Sequence, residues 1–271
     1  MTTTPAPEAA AGYAALVEAR PDDLFLRYDV VPGRVSRAHV EGRAVGWTSD
    51  HPFRHVRWLT VLADEPVAAA DLAARLVAAD PRVDGLTLPE AAAGLLPAGV
   101  APPVGERWCW WLTSSAPAPR SEEATVIDLA LDDARIGPLL AHSASASAFP
   151  GDRAVRRWVG VLDGDQLLAC AAHVEHVPGV PHLASVVTAP NARGRGYAAD
   201  LCARLTRDAL STGAPVVTLG MYSDNDVARR VYTRLGFVVD RDFSSGYLPG
   251  RGPDPQADPV REAPADGGGT V

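Results

Sequence analysis

The sequence predicts a mixed α/β fold built from two units, and three observations lead to that prediction. The 271 residues, 47% of them hydrophobic, exceed the usual length of one domain and can supply two buried cores. Runs rich in β-branched residues alternate with stretches of helical spacing along most of the chain. The order of these segments in the first half is partly repeated in the second half, without residue identity, which suggests a duplication.

Composition places the boundaries between these units. Ala, Thr and Pro dominate the start, Pro and Ser form a connector, and the C-terminal stretch has no apolar periodicity. We therefore expect a flexible N-terminus at 1–20, a first unit at 21–113, a linker at 114–123, a second unit at 124–248 and a disordered tail at 249–271.

The second unit carries the clearer pattern of elements. A strand, ATVIDLAL, and a helix, DDARIGPLLAHSA, precede a hairpin, WVGVLDGDQLLACAAHVEHV, that turns at Asp163-Gly164. The strand HLASVVT stops at Pro190 and is followed by a helix, AADLCARLTRDAL, and a strand, PVVTLGMY. A capped helix, SDNDVARRVYTRL, then ends at Gly236 before the strand FVVDRDF.

The first unit follows a similar order. Its predicted elements are the strands GRAVGWT and HVRWLTVLA, the helix AAADLAARLVAA, the strand DGLTL, the helix PEAAAGLLPAG and the strand ERWCWWLT. Trp108, Trp110 and Trp111 in the last strand are predicted to be core residues rather than a ligand cage.

Charge, cysteine content and the chain start exclude several classes of function. A net charge of −8 and a pI near 5.3 argue against a nucleic-acid surface. The start of the sequence lacks a secretory pattern, and no run is long enough for a membrane span, so we expect a cytoplasmic protein without a membrane partner. Cys109, Cys170 and Cys202 show no metal-ligand spacing, so we expect buried thiols and no metal site.

The segment VVTAPNARGRGYAADLCARL contains the strongest functional signal. Gly194 and Gly196 lie between a β-branched strand and a helix, where backbone N–H groups and the helix macrodipole favour an anion such as a pyrophosphate. Arg193 and Arg195 add positive charge at the same place. A dinucleotide-binding fingerprint needs a third glycine that is missing here, and a Walker loop needs a lysine, which the chain lacks entirely.

These residues resemble the GNAT acyl-CoA N-acyltransferases. The family signature [QR]-x-x-G-x-[GA] matches 193–198, and Pro190 precedes it at the end of a strand. A second match joins Asn225, Ala228, Tyr232 and Gly236-Phe237 at the spacing of the family's later CoA-binding segment. The resemblance covers about 124–248, and it implies two GNAT-like units, each a mixed and largely antiparallel sheet flanked by helices, of which the N-terminal one is degenerate.

The resemblance implies acetyl-CoA as the acyl donor and no metal. It assigns the pyrophosphate to the backbone amides of 193–198 and the pantetheine arm to the preceding strand. Asn225 and Tyr232 are two helical turns apart and can share one face toward the cofactor, although Asn225 can also serve only as a helix cap. The cofactor-binding residues implied are Val186, Val187, Thr188, Arg193, Gly194, Arg195, Gly196, Tyr197, Ala198 and Asn225.

Tyr232 is the implied acid that protonates the thiolate of CoA, with a core aromatic as the alternative. Family members often carry a Glu as base about eight residues before the proline, and this chain has His182 there. His182 and Glu175 are the candidate bases, together with His173, and proton loss to solvent is the remaining alternative.

The expected activity is N-acetylation of a primary amine on a small or amino-acid-like acceptor by direct attack in a ternary complex. In the first unit Asp64 and Glu65 occupy the equivalent turn, which has no glycine, so we expect a single donor site per chain. The tandem architecture is similar to that of mycothiol synthase, which gives one alternative, and a non-catalytic acyl-CoA sensor gives another. A monomer or a homodimer is compatible with the sequence.

Overall fold

The computed structural model describes residues 7–50 and 56–252. The predicted tail from residue 253 onward and the first six residues therefore lie outside the described residues. The helices are α1 Pro7–Ala19, α2 Leu24–Tyr28, α3 Pro66–Ala79, α4 Glu90–Ala93, α5 Ile136–Leu140, α6 Tyr197–Ser211 and α7 Asp226–Arg234. The strands are β1 Arg37–Glu41, β2 Ala44–Asp50, β3 Arg57–Leu62, β4 Gly85–Pro89, β5 Glu106–Thr113, β6 Ile127–Leu129, β7 Val155–Asp163, β8 Gln166–Val174, β9 His182–Thr188, β10 Val217–Tyr222 and β11 Val238–Tyr247.

The chain forms two compact units, which differ from the predicted blocks. Of the described residues, unit 1 comprises 7–50, 56–108 and 241–252, and unit 2 comprises Cys109–Asp240. The chain passes between them inside β5 and again inside β11. The sequence prediction assigned all of β5 to the first unit and all of β11 to the second. It missed the divided strands because a strand pattern does not reveal with which neighbours each end pairs.

Unit 1 contains the strand order β1-β2-β3-β4-β11. Its strands pair antiparallel except β3 and β4, which are parallel and are joined by α3. The apolar face of α3 packs on this sheet through Ala69, Leu72, Ala73 and Leu76. At the β5 and β11 segments of this unit, Trp108 stacks on Phe243 with ring centroids 4.6 Å apart.

Unit 2 contains the strand order β5-β10-β9-β8-β7-β6. β6 to β9 pair antiparallel with their neighbours, and β9 and β10 are parallel and joined by α6. One apolar cluster lies under α6 and α7 and includes Leu183, Val186 and Tyr232. A second cluster packs α5 and includes Ala184 and Val187. Each unit is thus a mixed, largely antiparallel sheet flanked by helices, as predicted.

Several details of the prediction are confirmed. The hairpin between β7 and β8 turns at Gly164, whose φ of +56° places it in the left-handed region that glycine favours. Trp108, Trp110 and Trp111 are all buried, and so are the three cysteines.

Other details are corrected. Residues Pro7–Ala19 of the predicted flexible N-terminus form α1, in which Leu16 is buried and the Tyr13 hydroxyl donates to the Leu26 carbonyl over 2.9 Å. The expectation of a flexible segment is wrong here because alanine, which dominates this composition, is the strongest helix former. The predicted linker is also structured at its end, where a 3-10 helix spans Ser121–Thr125.

Candidate functional site

The two parallel strands of unit 2 separate soon after they begin. Within residues 56–252, β9 and β10 pair at one position, where Thr218 lies opposite His182. The Thr218 amide donates to the Pro181 carbonyl over 2.9 Å. The register of β9 with β8 shifts between the pairs Cys170–Val187 and Ala172–Ala184. Ser185, within this irregularity, has a φ of +48°. Such a bulge bends a strand, so the edge of β9 beyond His182 diverges from β10.

The glycine-rich turn follows directly after this divergence. Gly194 and Gly196 have φ values of +77° and +86°, which L side chains rarely adopt. Gly196 is the N-cap of α6 and has no side chain to accept from the first-turn amides, so the N–H groups that open α6 keep no capping acceptor. Together with the positive end of the helix dipole, these amides give the turn the chemistry that suits an anion.

The other predicted donor-binding residues surround this turn. Val186 and Val187 are buried in β9, and Thr188 is half-buried at its end. Arg193 and Arg195 are exposed, and each donates only a long 3.4 Å hydrogen bond, to the carbonyls of Thr188 and Asn191. Tyr197 and Ala198 are half-buried in the first turn of α6.

Tyr232 lies inside unit 2 on α7. Its ring is 1% exposed and lies between Phe237 and Trp111, with centroid distances of 5.7 and 6.5 Å. The buried hydroxyl has no hydrogen-bond partner among the residues that the structure describes. Burial raises the pKa of Tyr232 well above 10, so the phenol stays protonated at neutral pH. A buried hydroxyl without a partner is costly to the fold and marks a position where a ligand atom would be stabilising.

Asn225 fixes the start of the helix that carries Tyr232. Its Oδ1 accepts from the Ala228 amide over 3.0 Å, so Asn225 acts as the N-cap of α7. This is the capping role that the sequence left open beside a direct contact with the cofactor.

The structure brings Glu175 and His173 together but places His182 elsewhere. His182 is 6% exposed, and its Nδ1 lies 3.0 Å from the Thr218 hydroxyl. Burial, followed by the nearby His176, lowers the pKa of His182 to about 3, so its imidazole is a weak proton acceptor at neutral pH. Glu175 Oε1 lies 3.5 Å from His173 Nε2, and Glu175 Oε2 lies 3.4 Å from Arg156 Nε.

These candidates also occupy opposite faces of the sheet. His182 is the cross-strand partner of Val174, which belongs to the cluster with α5, whereas His173 is paired with Leu183 in the cluster under α6. Burial is the largest effect on the pKa of His173 and lowers it. Burial therefore weakens both His182 and His173 as bases, and the two histidines face opposite sides of the sheet.

The corresponding turn of unit 1 carries two exposed acidic residues, Asp64 and Glu65. Asp64 forms ion pairs with Arg20 at 2.9 Å and with Arg43 at 2.6 Å, and Arg43 is the main cause of the lowered pKa of Asp64. Glu65 precedes Pro66, the first residue of α3. The predicted acidic turn is therefore present, but its Asp64 serves an ion-pair network.

Sequence reasoning missed Arg120 and Ser185. The Ser185 hydroxyl accepts from the amides of Ser147 and Ala148 at 3.1 and 2.9 Å, and it donates to the Ala148 carbonyl. It thereby fixes the segment before β7 to the bulge in β9. Arg120 lies at the glycine-rich turn and is considered below. Neither residue belongs to a local pattern, so only the tertiary structure reveals them.

A family comparison agrees with this geometry. The family model described as "Acetyltransferase (GNAT) family" matches residues 107–237. Residues 107–237 are a GNAT acetyltransferase domain. The match spans the bulged β9, the glycine-rich turn and Tyr232. This membership assigns the domain to the acyltransferases that take their acyl group from an acyl-CoA.

Solved structures with a similar fold align with more of the chain than the GNAT family model does. A GCN5-related N-acetyltransferase from Kribbella flavida aligns with a TM-score of 0.53 at 20% identity, over 89% of this chain and 96% of that one. One from Sphaerobacter thermophilus aligns with a TM-score of 0.55 at 15% identity, over 89% and 92%. A GNAT-family protein from Novosphingobium aromaticivorans aligns with a TM-score of 0.53 at 20% identity, over 88% and 97%. At these identities the likeness concerns the fold.

Comparison with curated proteins gives a negative result, and so do possible metal ligands and possible membrane helices among the described residues. The sequence matches none of the curated proteins with which it was compared. Within residues 7–50 and 56–252, no three His, Cys, Asp or Glu side chains are grouped as metal ligands, and no helix is long and apolar enough to cross a membrane.

Proposed function

We propose that the protein is an acetyl-CoA-dependent N-acetyltransferase that acylates a primary amine of a small or amino-acid-like acceptor. One observation carries this proposal. β9 and β10 diverge beside a buried Tyr232 hydroxyl that lacks a partner among the described residues, and β9 leads directly into an anion-binding turn. A cleft between strands, an anion site and a proton donor are what transfer from an acyl-CoA requires.

The residues present fit an acyl-CoA donor. The amides of 193–198 would hold its diphosphate, and Gly194 and Gly196 give them their conformation. The free edge of β9 at Val186, Val187 and Thr188 would pair with the amides of the pantetheine arm in the manner of an added strand. Asn225 contributes by capping the helix that positions Tyr232.

The proposed chemistry is direct attack within a ternary complex. The neutral amine nitrogen forms a bond to the thioester carbonyl carbon, the C–S bond breaks, and the thiolate leaves with the electron pair of that bond. Tyr232 remains protonated and can give its proton to the departing sulfur. The amine gives up one proton to water and the Tyr232 phenolate takes one proton back from water, so the overall products are an amide and a free thiol.

The route of the amine proton follows from the surroundings of the candidate bases. His182 is a poor acceptor because its pKa is near 3 and its Nδ1 is engaged with Thr218. Glu175 directly follows β8 and lies beside His173 and Arg156. We therefore propose release of the proton to water, with Glu175 as the nearby group that can assist.

The tandem arrangement belongs to the same proposal. Both units contain a pair of parallel strands joined by a helix, and the solved neighbours align across both units. We infer that unit 1 is a degenerate GNAT-like unit without a donor site. A cytoplasmic location, where acyl-CoA is available, and a monomeric or homodimeric state complete the proposal.

The test uses Tyr232→Phe, with Tyr28→Phe in unit 1 as the matched control. Calorimetry should give Tyr232→Phe the acetyl-CoA affinity of the wild type. Its acetyl-CoA consumption with a broad panel of amines should fall about 10²- to 10⁴-fold, the usual range for loss of a general acid. Tyr28→Phe should retain wild-type values for both.

Full turnover by Tyr232→Phe would remove Tyr232 from the mechanism. A wild type that binds acetyl-CoA but consumes none of it with any amine would favour the acyl-CoA sensor over the enzyme.

A further inference from the structure

Arg120 places a guanidinium group at the glycine-rich turn from a distant part of the sequence. An ideal Cβ built on Gly196 would lie 3.5 Å from Arg120 Nη2 and 3.9 Å from Asp200 Oδ2. Both side chains therefore border the turn that opens α6. Arg120 comes from the segment that the sequence predicted to be a linker.

Asp200 makes this position electrostatically unusual. It lies in the first turn of α6 and is 1% exposed. Its Oδ1 accepts from Arg120 Nε over 2.6 Å, whereas its buried Oδ2 has no hydrogen-bond partner in the described part of the chain. A carboxylate there suits the helix dipole but would repel a bound diphosphate unless a cation compensates for it.

Arg120 supplies that cation and has donors left over. A guanidinium carries five N–H donors, and Asp200 engages the one on Nε. Within residues 56–252, no hydrogen bond uses the Nη1 or Nη2 groups of Arg120. Nη2 lies on the Gly196 side, and a guanidinium has the planar fork geometry that binds phosphate oxygens in pairs.

The segment around Arg120 is held against α6 at a second point. Glu123 accepts from the Arg120 backbone amide over 2.9 Å and also forms an ion pair with Arg207. Asp200 and Arg207 are two turns apart on α6, so one face of the helix holds the segment at both ends. The bond to Asp200 therefore positions the guanidinium before any ligand binds, whereas the printed side-chain bonds of Arg193 and Arg195 are long, at 3.4 Å.

We propose that Arg120 is a phosphate-binding residue of the donor site, where its Nη2 group contacts the diphosphate of the acyl-CoA together with the turn amides. Asp200 is its positioning partner. This inference rests on the proposed function, because it presumes that the turn receives an acyl-CoA. It adds a side-chain contact to a site otherwise formed by backbone amides.

The experiment compares the wild type with the double variant Arg120→Gln/Asp200→Asn. Removing Arg120 alone would leave a buried carboxylate unpaired and threaten folding, whereas the double change removes both charges and keeps the net charge constant. The matched control is Arg135→Gln/Asp133→Asn, because Arg135 has the same 39% side-chain exposure and a similar ion pair. Affinities for acetyl-CoA and acetyl-dephospho-CoA are measured by calorimetry at several NaCl concentrations.

We expect the Arg120 double variant to bind both donors about 10- to 100-fold more weakly, the range for loss of charge-assisted hydrogen bonds. Its affinity should also depend less on salt, because one cation no longer meets the phosphates. The control should bind both donors as the wild type does.

Three results would overturn the proposal while leaving the proposed function intact. The first is wild-type affinity in the Arg120 double variant. The second is a loss of affinity confined to acetyl-CoA, which would assign Arg120 to the 3′-phosphate. The third is a loss of affinity with unchanged salt dependence, which would mean a structural role. A wild type that binds neither donor would instead overturn the proposed function, and this inference with it.

Discussion

The two units contain the same motif of two parallel strands joined by a helix, but the strands stay together in one and separate in the other. β3 and β4 are paired at three successive positions, from Trp58–Gly85 to Thr60–Thr87. β9 and β10, in contrast, pair only at His182–Thr218 within residues 56–252. One motif can therefore form either a closed sheet or an open cleft, and individual residues decide which.

In unit 1 the residues favour closure. The Trp58 ring covers Gly85 so tightly that a Cβ there would lie 2.1 Å from it, and the Trp58 indole donates to the Thr87 hydroxyl over 2.8 Å. At the far end of β3, Asp64 is held by Arg20 and Arg43. The turn then enters α3 at Pro66, without a glycine.

In unit 2 the residues favour opening. Ser185 adopts a positive φ inside β9 and is held there by hydrogen bonds to Ser147 and Ala148. Strain of this kind persists where surrounding contacts impose it, and it is concentrated at functional sites. Gly194 and Gly196 then leave the helix start accessible. These differences support the proposal that unit 1 retains the motif as a scaffold and that unit 2 uses it as the donor site.

The largest effect on stability is expected from breaking the ion pairs of unit 1. Arg20 is 6% exposed in its side chain and pairs with Asp23 as well as Asp64. Arg20→Met should lower the free energy of unfolding by about 3 kcal/mol, the low end for a broken buried pair, because Arg241 still contacts Asp23.

Urea unfolding of the Arg20→Met variant measures this loss, and the acetyl-CoA affinity of the folded protein should be unchanged. A loss of donor binding at full stability would contradict the view that unit 1 serves as a scaffold.

A smaller effect on stability is expected from pH, and it arises in unit 2 but not at the equivalent position of unit 1. His182 marks the point where β9 and β10 diverge, whereas unit 1 has the non-titrating Trp58 at the equivalent pair. The pKa of His182 is lowered to about 3 in the folded protein, so the unfolded state binds more protons below pH 6.5. This contribution to stability is complete above pH 6.5 and is lost as the pH falls toward 3.

Between pH 7 and pH 5 the wild type should therefore lose about 2 kcal/mol more stability than His182→Gln. Urea unfolding at the two pH values measures the difference, and the exposed His142→Gln provides the control. Equal pH dependence in all three proteins would show that His182 is not protected from protonation by the fold.

Local sequence patterns predict much of the fold of unit 2 and part of the candidate site. The glycine pair, the preceding strand and the helix with Tyr232 could be read from the sequence because each depends on neighbouring residues. The divergence of β9 from β10 could not be read, because the bulge depends on contacts of Ser185 with residues near 147. Arg120 could not be found either, because its partner Asp200 is distant in sequence.

The residue types near the candidate base were predicted, but their roles were not. A histidine at the start of β9 is compatible with a base when only the sequence is known. The structure buries it against Thr218 and His176, and that environment determines its pKa. Burial and cross-strand partners are tertiary properties that local spacing does not encode.

The most direct test of the central claim is a calorimetric titration of acetyl-CoA into the wild type, Gly196→Glu and Val67→Glu. Val67 is 60% exposed in the first turn of α3, so its variant adds the same charge at the equivalent helix start of unit 1. We predict one site per chain, an affinity reduced at least about 100-fold in Gly196→Glu, where like charges meet, and wild-type binding in Val67→Glu. Two sites per chain, no binding by the wild type, or binding that survives Gly196→Glu would contradict the account.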